Sequence, residues 1–112
     1  MSEELFSFSV RGKVQGVMFR QTIIRACQAR GIRGGATNSV ADKHEVILTF
    51  SGNKEMIEEI LAFFRAGKVL NSWGAQVTSI TPISTSVPFS NHQVTTENVD
   101  TFKWNPRVEF YM

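Results

Sequence analysis

The densest chemical candidate in this sequence is VRGKVQGVMFRQ, residues 10–21. Two glycines, Gly12 and Gly16, precede a short apolar run, and Arg20 stands where a helix begins. A strand that runs into a helix through such a loop leaves backbone N–H groups unpaired at the helix N-terminus, and the helix dipole adds to their attraction for an anion. Arg20 would set a planar cation beside that concavity. In a first helical turn its charge opposes the dipole by a few tenths of a kcal/mol up to about 1 kcal/mol, a conflict that a bound phosphate would remove. The same spacing also fits a tight connection beside a solvated arginine, because it matches neither the Walker pattern nor the dinucleotide fingerprint.

Other reactive side chains are poorly arranged for chemistry. Cys27 falls on the apolar side of the first helical pattern, next to Ala26 and four residues past Ile23, which fits a buried, inert thiol. His44 and His92 are far apart, belong to no metal-ligand pattern and read as surface residues. Glu55, Glu58 and Glu59 share a helix with Lys54 and Arg65, as a solvated face does. No metal site, nucleophile or strong general base emerges.

The elements that must position Arg20 follow from periodicity. Leu5 to Val10 alternates, with Phe6, Phe8 and Val10 on one face and Ser7 and Ser9 on the other, as a half-buried strand does. From Phe19 the period becomes helical through Ile23, Ala26 and Cys27, and Gly31 stops it. Gly34 to Val40 is a weaker extended segment, followed by a polar turn around Asp42 and Lys43. HEVILTF then alternates, with Val46, Leu48 and Phe50 opposed to Glu45, Ile47 and Thr49. Asn53 can cap a second helix, with Glu55 in its first turn and Met56, Ile57, Ile60, Leu61 and Phe64 as its stripe before Gly67. QVTSITPI is extended. The order β-α-β-β-α-β predicts an α+β, ferredoxin-like split βαβ sandwich, a four-stranded antiparallel sheet covered on one face by two helices. Residues 84–105 are rich in Ser, Thr, Asn and Pro and read as a long loop. Residues 106–112 are a candidate short fifth strand, with Val108 and Phe110 inward.

Length and composition bound the function. A chain of 112 residues, 42% hydrophobic and 20% charged, fits one ordinary globular domain. No apolar run approaches the roughly 18 residues of a membrane span, and MSEELFSFSV lacks a basic region and a long apolar stretch, so neither anchor nor secretory signal is expected. One cysteine fits a reducing compartment. The net charge of +2 comes from dispersed cations, which permits one small anion but argues against a polyanion. The same order of elements serves RNA recognition, but HEVILTF lacks the basic, glycine and interleaved aromatic pattern of that class.

The opening stretch carries more than its spacing. GKVQGVMFR, residues 12–20, resembles the signature of the acylphosphatase family. GIRGGATN, residues 31–38, is similar to that family's segment joining the first helix to the second strand, and HEVILTFSG resembles the third strand and its exit. The resemblance runs in register from about Leu5 to Ile83, while PFSN and RVEFY resemble the tail of the eukaryotic members. It implies hydrolysis of the carboxyl-phosphate bond of small acyl phosphates without metal or cofactor. Arg20 matches the phosphate-binding arginine. Gln15, Gly16, Val17, Met18 and Phe19 match the backbone cradle, and Asn38 matches the asparagine that orients the attacking water. An acyl phosphate leaves as a carboxylate, whose conjugate acid has a pKa of about 4, so the reaction needs no strong general acid. The implied protein is a cytoplasmic monomer acting on a small acyl phosphate, with no nucleic-acid or membrane partner. The alternative is a weakened member of the family that binds an anion or a protein.

The sequence departs from the family pattern just before Asn38. Gly35 and Ala36 stand where an aromatic and a larger aliphatic residue are usual, Thr37 replaces a longer polar or basic side chain, and VADKHEV lacks the usual Asp-Gly pair. A looser second strand is expected from these changes, with Asn38 displaced from its pose.

Overall fold

A computed structural model describes residues 4–104 and 106–112. Strand β1 (Phe6–Lys13) leads through a loop into helix α1 (Phe19–Ala29). Then come β2 (Arg33–Asn38), β3 (Glu45–Ser51), helix α2 (Lys54–Arg65) and β4 (Gln76–Pro82), with a two-residue strand β5 (Val94–Thr95) in the tail. The sheet is antiparallel in the order β4-β1-β3-β2-β5. The split βαβ arrangement expected from periodicity is therefore present.

Register explains the core. Val10 lies opposite Val46, Phe8 opposite Leu48 and Phe6 opposite Phe50, while Ala36 and Asn38 of β2 lie opposite Leu48 and Val46. All of these residues share the face covered by the helices, since side chains directly across a ladder point the same way. Phe19, Ile23 and Ile24 of α1 and Ile57, Ile60, Leu61 and Phe64 of α2 close over them, with the Phe19 and Phe64 rings 6.0 Å apart. Asn53 caps α2 as expected, its Oδ1 accepting from the N–H groups of Glu55 and Met56 at 2.8 and 3.3 Å. Cys27 is fully buried against Gly34, where a Cβ would come within 2.6 Å of its sulfur. Burial pushes the thiol up to about 12, which suits the inert role read from its position.

Gly12 has a role its motif did not disclose. It sits inside β1 at a register shift against β4, with φ 143°, and a Cβ there would lie 2.4 Å from the Gln76 carbonyl oxygen. It lets two strands approach at a bulge rather than shaping the loop at Gly16.

The tail corrects two expectations. The short fifth strand forms at Val94–Thr95, inside the stretch read as loop, because the outer edge of β2 offers ladder groups that pair Gly35 with Thr95 and Ala36 with Val94. Residues 106–112 run beside the loop before β4 and make a single bridge, Asn71 to Phe110. Val108 is half-buried, and Phe110 and Tyr111 are exposed.

His92 is the second correction: read as a surface residue, it is 8% exposed. Its ring lies on the bare backbone of Gly35, where a Cβ would come within 2.7 Å of the imidazole. The second sheet face is thus covered by the tail through polar contacts. Thr49 Oγ1 donates to the Val87 carbonyl at 2.8 Å, so its remaining contacts, with Ser7 Oγ at 2.7 Å and His92 Nε2 at 2.7 Å, are bonds it accepts. That puts a proton on His92 Nε2, and because burial favours the neutral ring, Nδ1 is left to accept from Thr37 Oγ1 at 2.9 Å.

Desolvation pulls the His92 pKa from 6.5 down to about 4. Because the folded value lies below the unfolded one, this contribution to stability is complete above pH 6.5 and is lost as pH falls toward 4. Urea unfolding at a series of pH values should show a loss on the order of 3 kcal/mol across that window, absent in His92→Gln. Identical pH profiles for the two proteins would contradict the buried neutral imidazole.

Candidate active site

The loop between β1 and α1 is shaped by one left-handed residue. Met18, at the N-cap of α1, adopts φ 58° and ψ 27°, the only non-glycine residue with positive φ among those described. Such a conformation in a bulky residue costs on the order of 1 kcal/mol and persists only where the surroundings impose it. The N-cap side chain makes no capping bond and the first turn of α1 carries no acidic residue. None of the N–H groups of Gln15, Gly16, Val17, Met18 and Phe19 reaches an acceptor among the described residues. The loop residues expected to form a cradle thus carry N–H groups without acceptors at the positive end of a helix.

The Val17 and Met18 carbonyls, by contrast, are tied down. Asn71 is fully buried and donates through Nδ2 to the Val17 carbonyl and to Thr22 Oγ1, both at 2.8 Å. Its Oδ1 accepts from the N–H groups of Trp73 at 2.9 Å and Ala75 at 3.2 Å. Thr22 in turn donates to the Met18 carbonyl at 2.7 Å. One asparagine therefore joins the cradle, α1 and the loop before β4.

The Gln15 side chain faces the β2–β3 turn. Its Nε2 lies 3.1 Å from the Ser39 and Asp42 carbonyls and 2.8 Å from that of Glu45, donating into the turn that follows Asn38. Asp42 also accepts from the His44 N–H at 2.8 Å and pairs with Arg11, and these contacts, the first foremost, hold its carboxyl below its usual value. Cradle and turn are thereby one unit. The expected looseness of the second strand is not found: β2 pairs with β3 along its whole length, from Arg33 opposite Ser51 to Asn38 opposite Val46. Gly35 makes room for His92, and Thr37 binds it.

Arg20 and Asn38 come together in a cavity of about 260 Å³, lined also by Val14, Gly16, Met18, Phe19, Trp73 and Trp104. Burial pulls the Arg20 guanidinium below its usual pKa, and no carboxylate among the described residues pairs with it. The Asn38 Oδ1 is buried without a hydrogen-bond partner. A buried acceptor left unpaired costs roughly 1–3 kcal/mol, so an oxygen so placed beside a cavity is suited to receive an O–H from a ligand or water. No group of three or more His, Cys, Asp or Glu among the described residues could hold a metal.

The acylphosphatase family model matches residues 6–94. The chain belongs to the acylphosphatase family. An acylphosphatase from Paraburkholderia xenovorans is 34% identical over 64 residues, 57% of this chain. The match spans 64% of that relative's length, less than two thirds of it. The crystal structure of acylphosphatase from Bacillus subtilis superposes with a TM-score of 0.57 at 23% identity, covering 79% of this chain and 90% of that one, a likeness of fold. As in an acylphosphatase fold, two helices pack on one antiparallel sheet, and no helix among the described residues is long and apolar enough to cross a membrane.

Sequence reasoning missed Asn71, Trp73 and Trp104, because nothing local marks a residue whose partners are distant in the chain. Asn71→Ala would orphan the Val17 carbonyl and the Trp73 and Ala75 N–H groups, and should cost about 2–4 kcal/mol, read from the urea midpoint. A midpoint unchanged from wild type would contradict the role given to this side chain.

Proposed function

We propose that this protein hydrolyses the carboxyl-phosphate bond of small acyl phosphates by attack of an oriented water, without metal or cofactor. The supporting observation is that Gly16, Met18 and Phe19 of the loop, an Arg20 without a carboxylate partner and an unpaired Asn38 Oδ1 meet at one cavity, beside loop N–H groups that have no acceptor among the described residues.

Each part has a task. The N–H groups of Gln15 to Phe19 and the Arg20 fork hold the phosphoryl oxygens, and they hold them best as charge spreads over those oxygens in the transition state. Asn38 is neutral and hardly basic, so its role is geometric: Oδ1 accepts an O–H from water and aims its lone pair at phosphorus. The P–O bond to water forms as the bond to the carboxyl oxygen breaks, the electron pair leaves with the carboxylate, and the water protons finish on phosphate. Acyl phosphate dianion and water give carboxylate and dihydrogen phosphate, so charge and atoms balance. Trp73, Trp104, Val14 and Phe19 present apolar surface to the acyl portion.

Release of phosphate from a synthetic acyl phosphate tests this reading. Arg20→Ala and Asn38→Ala should each lose on the order of 100-fold or more in kcat/KM, as removal of a charge-stabilising or positioning group does. Wild-type turnover should be unchanged by a metal chelator. Turnover that survives both substitutions would refute the assignment, and absence of turnover with phosphate still bound would favour an anion-binding domain.

A further inference from the structure

The tail that covers the second sheet face also reaches the site. Gln93 Oε1 accepts from Arg20 Nη1 at 3.0 Å and from the Asn38 backbone N–H at 2.9 Å, so one oxygen touches both members of the proposed catalytic pair. We propose that Gln93 is a positioning residue that aims the Arg20 guanidinium and fixes its distance from Asn38. This inference rests on the acyl phosphate reading of the site.

Gln93 is well placed for that task. Its N–H donates to Thr37 Oγ1 at 3.0 Å and its carbonyl accepts from Asn98 Nδ2 at 3.3 Å. On one side His92 is locked to Thr37 and Thr49, and on the other Val94 pairs with Ala36 in β5. The backbone that carries the amide is therefore anchored at every neighbouring residue, although its side chain is exposed. Gln93 does not line the cavity, whereas Arg20 and Asn38 do, so the bond spends one donor of the arginine from outside and leaves the rest of its fork for phosphate. The type of acceptor matters as well. A neutral amide oxygen orients a guanidinium without cancelling its charge, while a carboxylate in the same place would compete with the substrate for it. Thr37, which departs from the family pattern, acquires a reason here: its hydroxyl accepts the Gln93 N–H and donates to His92.

The test compares wild type, Gln93→Leu and Gln93→Glu in steady-state hydrolysis of a synthetic acyl phosphate, in inhibition by inorganic phosphate, and in the NMR signal of the Arg20 side-chain N–H groups. Gln93→Leu removes the acceptor and should lower kcat by roughly 10- to 100-fold, the scale of a misplacement near 1 Å, with an unchanged urea midpoint. Gln93→Glu restores the acceptor and adds charge, so kcat should return to within a few-fold of wild type while KM and the phosphate inhibition constant rise. The Arg20 signals should be distinct in wild type and Gln93→Glu and averaged in Gln93→Leu. Wild-type kinetics in Gln93→Leu, or equal loss of kcat in both variants, would overturn the proposal. If wild type does not turn over acyl phosphate, the parent reading fails, and Gln93 is still judged by NMR: identical Arg20 signals in wild type and Gln93→Leu overturn it.

Discussion

The structure depends on a segregation of backbone groups between Val14 and α1. Over a few residues the chain leaves five N–H groups without an acceptor among the described residues while the Val17 and Met18 carbonyls find partners, and a left-handed Met18 makes the turn into the helix. Asn71 takes the Val17 carbonyl and Thr22 takes that of Met18, so the strain at Met18 is balanced by satisfied buried acceptors. Without that arrangement the loop would not be held against α1, where Arg20 carries its charge at the unfavourable end of the helix.

The sheet brings the second half of the site to the first. Asn38 ends β2 on the helix face, and the Gln15 amide, inserted into the turn after it, ties that end to the cradle. The opposite face is handled differently from the core. Ser7, Thr49, Thr37 and His92 form a connected polar network beneath the tail, and each proton in it has one assignable place. Such a network specifies a single register for the tail, since a shift by one residue would leave several buried groups unpaired. The tail thus holds Gln93 with the precision of a strand although it is mostly irregular.

How much of this could be read in the sequence varied with distance along the chain. Alternation in Val46, Leu48 and Phe50, helical spacing from Phe19 to Cys27 and the cap at Asn53 are local patterns, and each produced the expected element. The placement of Arg20 in the first turn of α1 was legible because its loop and helix adjoin it. Asn38 was named through family resemblance alone, as spacing gives no sign of a residue so far from the loop. Asn71 lies 54 residues from Val17, and Gln93 lies 73 from Arg20, so no window contains both partners. The tail misled for a chemical reason: Ser, Thr and Asn mark loops, but they also supply the hydroxyls and amides that cover a polar sheet face. Likewise Gly35 suggested a weak strand, when its missing side chain is the seat of His92.

The central claim is that the β1–α1 loop seats a phosphoryl group against Arg20. Titration of inorganic phosphate into isotopically labelled protein, followed by amide NMR, addresses it directly. The account predicts saturable shifts confined to the N–H groups of Gln15 to Phe19 and the Arg20 side chain, weakened at least tenfold in affinity by Arg20→Ala, the loss expected for a charge-assisted contact. Shifts centred elsewhere, or binding at the loop that is indifferent to Arg20→Ala, would contradict it.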